Sequence, residues 1–306
     1  MQRHLAVSLN VILSVLLALP LAARSAVSEP GSPKAVLVTG ASTGIGRNLV
    51  QRLAADGYFV YAGARKEADL KALNAIRNVQ AVRLDVTSSE DIAAAVDAVT
   101  KGGRGLYALV NNAGVATFGS VAGMQESEFD LVMKVNVYGP YRITKAFAPM
   151  VIAQKGRITT IGSIAGILAN PELSAYCMSK HAMEAFTDSL AAELEPVGVQ
   201  VSIIEPGNYN SDIEKSVARR IGGDLKDADR SEFKQPDEVS DAVVHALFDA
   251  KPRRRYMVVP NQGEAERTIK RQILQLAQLN EGQPFSYDRE ALIKMLDEAL
   301  EKSPPQ

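Results

Sequence analysis

From Lys34 onward, short apolar runs alternate with longer stretches in which apolar residues recur every three to four positions, the pattern of strands and helices following one another in turn. The runs at 35–39, 58–62, 79–83, 108–111, 157–161, 199–205 and 256–259 predict seven strands. Between and after them, helical periodicity covers 46–56, 67–74, 88–101, 127–154, 174–196 and 236–250, with a kink or break near Gly139-Pro140 in the longest. Such alternation is the signature of an α/β doubly wound parallel sheet, and right-handed crossovers leave few topologies open. Residues 208–235 lack a clean period, are rich in charge and follow a strand end, so they read as a mobile substrate lid. The tail at 263–301 shows the apolar spacing of two or more amphipathic helices, and 302–306, with Pro304-Pro305, reads as loose chain. The expected organisation is 1–33 as a leader with a linker, 34–262 as one Rossmann-type domain and 263–306 as a helical extension.

The leader changes the picture of where the chain works. Arg3 precedes a largely apolar stretch from Leu5 to Ala23, and a Pro/Gly/Ser-rich linker follows at 28–33. This has the parts of a secretory signal, and the apolar run also approaches the ~20 residues of a membrane anchor. Pro20 before small residues favours a signal; Ser8, Asn10 and Ser14 weaken a span. Export to a periplasm or membrane anchoring is the favoured expectation, with a cytoplasmic protein the alternative if an upstream start codon goes unused. A net charge of −1 gives no electrostatic case for nucleic acid. The single cysteine, Cys177, rules out an internal disulfide and reads as packing rather than a nucleophile, and no metal site is expected.

Two clusters carry chemistry. Gly40, Ser42, Thr43, Gly44, Ile45 and Gly46 join the first strand to the first helix, where glycines allow a tight turn, close approach of a pyrophosphate and a nearby helix amino terminus. A glycine-rich turn can be only a turn; its place after the first strand argues for more. Farther on, Tyr176 and Lys180 stand at i and i+4, a spacing that puts phenol and ammonium side by side on a helix. Free tyrosine titrates near ~10, and an adjacent cation favours the phenolate, so Tyr176 reads as a general acid/base and Lys180 as the group that makes it usable. Taken singly, Tyr176 could be core, Ser163 a turn or cap residue and Asn136 a polar group serving a kink. His181 and the run Lys251 to Arg255 read as structural and as a solvated loop; contact of that run with anionic lipid is a minor alternative.

With the glycine turn, Leu84-Asp85-Val86-Thr87, Asn111-Asn112-Ala113-Gly114, Asn136, Ser163, Tyr176, Lys180 and Pro206-Gly207 in order over about 34–260, the chain resembles the short-chain dehydrogenase/reductase family in its single-domain branch. The resemblance implies a catalytic tetrad of Asn136, Ser163, Tyr176 and Lys180. In it Tyr176 exchanges the proton, Ser163 bonds the same substrate oxygen, Lys180 also holds the nicotinamide ribose, and Asn136 positions a water linking Lys180 to solvent. It further implies that Asp85, beside Val86, meets the adenine, that Asn112, Ala113 and Gly114 support sheet and cofactor, and that Pro206 and Gly207 border the nicotinamide. Aligned with the family pattern, Ala64 stands where an acidic residue would select NAD, and Arg65 follows it, so NADP(H) is expected over NAD(H); alternatively Arg65 and Lys66 are loop charges. Residues 204–209 and the helix holding Tyr176 are similar to the retinol and hydroxysteroid dehydrogenases, which implies an apolar alcohol or ketone. Asn210 and Ser211 replace a threonine that often binds the carboxamide in the family. A small-molecule substrate, association with a membrane through the amino terminus, and a homodimer or tetramer complete the expectations; a nucleotide-sensing binder without turnover and an extended-branch epimerase or dehydratase are the alternatives.

Overall fold

A computed structural model describes residues 33–221 and 232–302, so the leader and part of the expected lid lie outside the described residues. Within residues up to Asn261, β1 (Ala35–Val38), α1 (Gly44–Ala55), β2 (Phe59–Ala64), α2 (Glu67–Asn74), β3 (Val79–Arg83), α3 (Ser89–Lys101) and β4 (Ala108–Asn111) alternate as the periodicity predicts. There follow α4 (Glu126–Met133), α5 (Gly139–Ala153), β5 (Arg157–Ile161), α6 (Ser174–Leu194), β6 (Gln200–Pro206), α7 (Ile213–Ile221), α8 (Asp237–Phe248) and β7 (Arg255–Val258). The seven strands form one parallel sheet in the order β3-β2-β1-β4-β5-β6-β7. The order reverses between β1 and β4, and the crevice outside their carboxyl ends is where open α/β sheets take ligands.

Strand alternation builds the two layers. Val36 and Val38 face one cluster with Leu49, Leu53, Val243 and Leu247, while Ala35 and Leu37 face another with Ile143, Phe147 and Val151. Both sides of β1 are therefore buried, which explains why its sequence is continuously apolar rather than alternating.

Two details go beyond the sequence pattern. The break expected near Gly139-Pro140 in the helix over 127–154 takes the form of a π-helical turn at Lys134–Tyr138, which centres on Asn136. Pro140 itself makes no kink: it lies in the first turn of α5, where a missing N–H costs little. The segment expected to be irregular after β6 contains α7, and Ser211 at its approach lies against Gly44 of the glycine turn. The second unit, from Gln262 on, consists of α9 (Gln262–Asn280) and α10 (Arg289–Lys302) in its described part. Asn280 and Tyr287 exchange two hydrogen bonds across the connection, and Asp288 caps α10 through Ala291 N at 2.8 Å. No helix among the described residues is long and apolar enough to cross a membrane.

Candidate active site

Thr39 closes the end of β1 onto β4. Its backbone N–H donates to Val110 O, and its hydroxyl accepts from the backbone N–H groups of Asn112 and Ala113, both at 3.0 Å. Asn112 answers by donating Nδ2 to the carbonyls of Thr39 and Gly40 at 2.8 and 3.0 Å. These bonds fix the glycine turn against the Asn-Asn-Ala-Gly segment at the strand-order reversal. Gly40 has φ +65°, and a Cβ there would stand 2.7 Å from Ala113 Cα; one on Gly46 would stand 2.3 Å from Gly40 O. Both positions therefore exclude side chains on steric grounds. Thr43 at the start of α1 makes no side-chain cap, so the N–H groups of the first turn have no cap acceptor from it. A turn kept bare at Gly40 and Gly46 and leading into such a helix end suits a pyrophosphate, with Ser42, Thr43 and Ile45 around it.

At the end of β2, no carboxylate accompanies Ala64. Arg65 is 63% exposed and its Nη1 lies 3.5 Å from Asp85 Oδ2. Burial pushes the Asp85 carboxyl up, but Thr87, donating through N and Oγ1 at 2.9 and 2.7 Å, and Arg65 together hold it below the ordinary range. The guanidinium expected to meet a 2′-phosphate is thus steered by the carboxylate expected to meet the adenine. Next to it, Val86 touches Gly139 at the start of α5, where a Cβ would come within 2.8 Å of Val86 Cγ2.

The proton-transfer candidates lie on three elements: the π-turn, the turn after β5 and α6. Lys180 is 7% exposed, and its ammonium donates to Ile161 O at the end of β5 at 2.8 Å and stands 5.5 Å from the centre of the Tyr176 ring. Burial pushes Lys180 down to about 8, with Glu184 pulling in the opposite direction. Ser163 follows β5; its hydroxyl accepts from Ala165 N at 3.1 Å and reaches Pro206 O at 3.4 Å, bridging the Pro206-Gly207 corner to the turn Ile164–Gly166. Asn136 is buried in the π-turn with both amide donors used: Oδ1 accepts from Val115 N, and Nδ2 donates to Val115 O and to Ser179 Oγ. Any water it orders must use its backbone or the second lone pair of Oδ1, since no side-chain donor is left.

Helix α7, within the segment expected to be a lid, bonds to α4 and to the chain after β4. Arg220 donates Nε to the Glu128 carboxylate at 2.9 Å and Nη2 to Ala116 O at 2.6 Å, while Thr117 Oγ1 donates to Glu128 as well. Of the remaining sequence candidates, Cys177 is buried and His181 bonds the carbonyl of Cys177, one turn back on its own helix, at 2.9 Å. Arg255 differs from its reading as a loop charge. It opens β7 and pairs with Glu184 at 3.3 Å and Asp188 at 2.6 Å.

Sequence reasoning missed four contributors. Ser179, whose hydroxyl donates to Tyr176 O at 2.7 Å while accepting from Asn136, could have been found from its place directly before Lys180. Thr39 was signalled as the polar end of an apolar strand. Glu184, one turn beyond Lys180, and Glu205, a carboxyl inside the apolar strand β6, were visible only as misplaced charges.

Comparison with known proteins shows the family. A family model described as short chain dehydrogenase matches residues 34–221. The mitochondrial D-beta-hydroxybutyrate dehydrogenase of Mus musculus is 34% identical over 266 residues, covering 75% of this chain and 78% of its own. Retinol dehydrogenase 16 of Rattus norvegicus is 33% identical over 253 residues, covering 73% and 80%. Among solved structures, a short-chain dehydrogenase from Sphingobium yanoikuyae in complex with NADPH has a TM-score of 0.66 at 25% identity, over 84% of this chain and 99% of that one.

Proposed function

The chain belongs to the short-chain dehydrogenase family, and from that premise we infer that it interconverts a hydroxyl and a carbonyl on a lipophilic substrate, using NADP(H) in preference to NAD(H). The nicotinamide, when bound, supplies or receives the hydride. The protein's part is the proton. Tyr176 gives it to the substrate oxygen in reduction and takes it in oxidation, with Ser163 bonded to the same oxygen. Lys180 holds positive charge beside the phenol, and Asn136 fixes α4 and α5 to α6 through Ser179. The observation that carries this reading is the buried Lys180 ammonium anchored by Ile161 O within 5.5 Å of the Tyr176 ring. A cation so placed has little reason to be buried except to act on its neighbour.

Support for NADP(H) is the missing carboxylate after β2 and the exposed guanidinium of Arg65. The similar NADPH-bound structure is consistent with this choice. Support for a lipophilic substrate is the composition of two expected pocket walls, 115–118 and 164–173, which contain no Lys, Arg or His to receive an anion. The retinol dehydrogenase relative acts in the same direction, the hydroxybutyrate relative against it. The leader we read as an export signal or anchor, and sequencing the mature amino terminus tests that. The functional test is an NADPH-consumption screen over aldehydes, ketones, retinoids and steroids beside Tyr176→Phe. Turnover by the native chain, lost in the variant with NADPH binding kept, is the expected result; no turnover on any class overturns it.

A further inference from the structure

Behind the proton-transfer site lies a charge cluster that the reaction as described does not use. Glu184 is on α6, one helical turn past Lys180, and Glu205 lies within the buried run of β6, next to its last residue Pro206. Glu205 is 2% exposed. Glu184 Oε1 and Glu205 Oε1 are both buried, and neither has a hydrogen-bond partner among the described residues. Their shared cation is Arg255 on β7, whose Nε lies 3.3 Å from Glu184 Oε2 and 3.8 Å from Glu205 Oε1. That cation is divided, because its Nη2 is committed to Asp188 at 2.6 Å. On the inner side, Gly166 leaves the space that Glu184 Oε1 fills; a Cβ there would stand 2.8 Å away.

An ionised carboxylate only accepts, so two buried oxygens with no donor, brought to one guanidinium nitrogen, can satisfy each other only when one of the carboxyls carries a proton. Two buried negative charges this close, facing one divided guanidinium, also repel strongly. Resting on the reading of Tyr176 and Lys180 as the proton-transfer pair, we propose that Glu184 and Glu205 hold one proton between them and present a single negative charge to Lys180, making them positioning residues for its ammonium.

The groups facing the pair are Lys180 and Asp188 from α6 and Arg255 from β7, and the turn Ile164–Gly166 adds no titrating group. Burial, the larger effect, pushes Glu205 up to about 8, with the Glu184 charge adding to it; burial also raises Glu184. Below that range one charge faces Lys180 and offsets part of the desolvation that drives its proton off. The charge therefore keeps Lys180 cationic at neutral pH, which is the form that favours the Tyr176 phenolate. Ser163 reaches the carbonyl of Pro206, the residue after Glu205, so the pair lies next to the strand end that the reacting groups use.

Counting charges gives the test. With one shared proton, Glu205→Gln leaves the net charge unchanged, because its amide donates to Glu184 as the protonated acid does; Glu184→Gln with Glu205→Gln removes the charge altogether. Lysines of the full chain, without cofactor, would carry 13C at Cε, and the Lys180 signal would be identified by its loss in Lys180→Arg and followed against pH. The expected result is that E205Q keeps the Lys180 proton affinity within about twofold, while the double variant lowers it roughly tenfold, the equivalent of one pKa unit. A tenfold loss in E205Q alone would show two native charges and overturn the proposal, as would a double variant with unchanged Lys180. Should E205Q fail to fold, E184Q takes its place, since either amide can bond the remaining carboxylate. The measurement involves no turnover, so absence of activity would refute the functional reading without touching the pair, and the reverse.

Discussion

On the β1–β4 side of the strand-order reversal, the site is held by backbone shape. Thr39 and Asn112 exchange bonds with main-chain groups, and Gly40 and Gly46 lie where no side chain fits. On the β5–β7 side the site is held by buried charge: Lys180 under Tyr176, with Glu184, Glu205 and Arg255 behind it. The first arrangement fails by steric collision and costs binding. The second fails by a change of charge and costs reactivity or pH range, leaving the fold in place. A single dinucleotide would lie across both, so each half can be damaged while the other reports.

The largest effects separate the halves most sharply. Gly46→Ala drives a Cβ to 2.3 Å from a main-chain carbonyl that the neighbouring bonds prevent from moving. Binding of NADPH should weaken by roughly a hundredfold or more, read as loss of the cofactor-induced rise in Tm. Tyr176→Phe should do the converse, lowering kcat by roughly a thousandfold, within the range for loss of a general acid, and keeping that rise. If Gly46→Ala retains the rise, backbone shape is not what holds the cofactor side.

That contrast also explains what was readable before the structure. Local rules wrote the first half. Glycine positions, apolar strand runs and the helix start are each decided within a few residues, so the seven strands and the turn after β1 emerged from the pattern. Tyr176 and Lys180 were equally local, four residues apart on one helix. Glu184, Glu205 and Arg255 are 21 and 50 positions apart in sequence, and only the parallel register of β6 with β7 and the crossing of α6 bring them together. A basic run such as 251–255 gives no sign of which member turns inward. The π-turn was half legible: Gly139-Pro140 signalled a break beside it, but its form depends on Asn136 being held by Val115 and Ser179, both distant in the chain.

A smaller effect tests whether charge also matters on the shape-held side. Arg65→Ser removes the exposed guanidinium and frees Asp85 from its partner, leaving a carboxylate closer to where a 2′-phosphate would sit. Affinity for NADPH should fall by roughly tenfold and that for NADH should change by less than about threefold, as expected for an exposed charge-assisted contact. Equal losses for both cofactors would assign Arg65 a general structural role and remove it from cofactor selection.

The smallest effect is a pH dependence confined to the charge-held half. Glu205 is raised on folding from 4.5 to about 8, so between those values the folded chain carries a proton the unfolded chain has released, and stability falls as pH rises through that window. Lys180 is lowered on folding from 10.5 to about 8, so above 8 the folded chain has released a proton the unfolded chain still holds, and stability recovers until pH reaches 10.5. Together the two groups contribute a minimum in stability near pH 8, the range in which the carboxyl pair loses its last proton and Lys180 its charge. Glu205→Gln should flatten the descending limb, raising Tm at pH 8 relative to pH 5 by roughly 5 °C compared with the native chain, and leave the ascending limb intact. Lys180→Met should flatten the ascending limb instead. Matching melts of Gly46→Ala should keep the native pH shape at whatever Tm it has, because no titrating group lies in the turn it disturbs. A Glu205→Gln profile that still falls between pH 5 and 8 would place the missing proton elsewhere and dissolve the division between a half held by shape and a half held by charge.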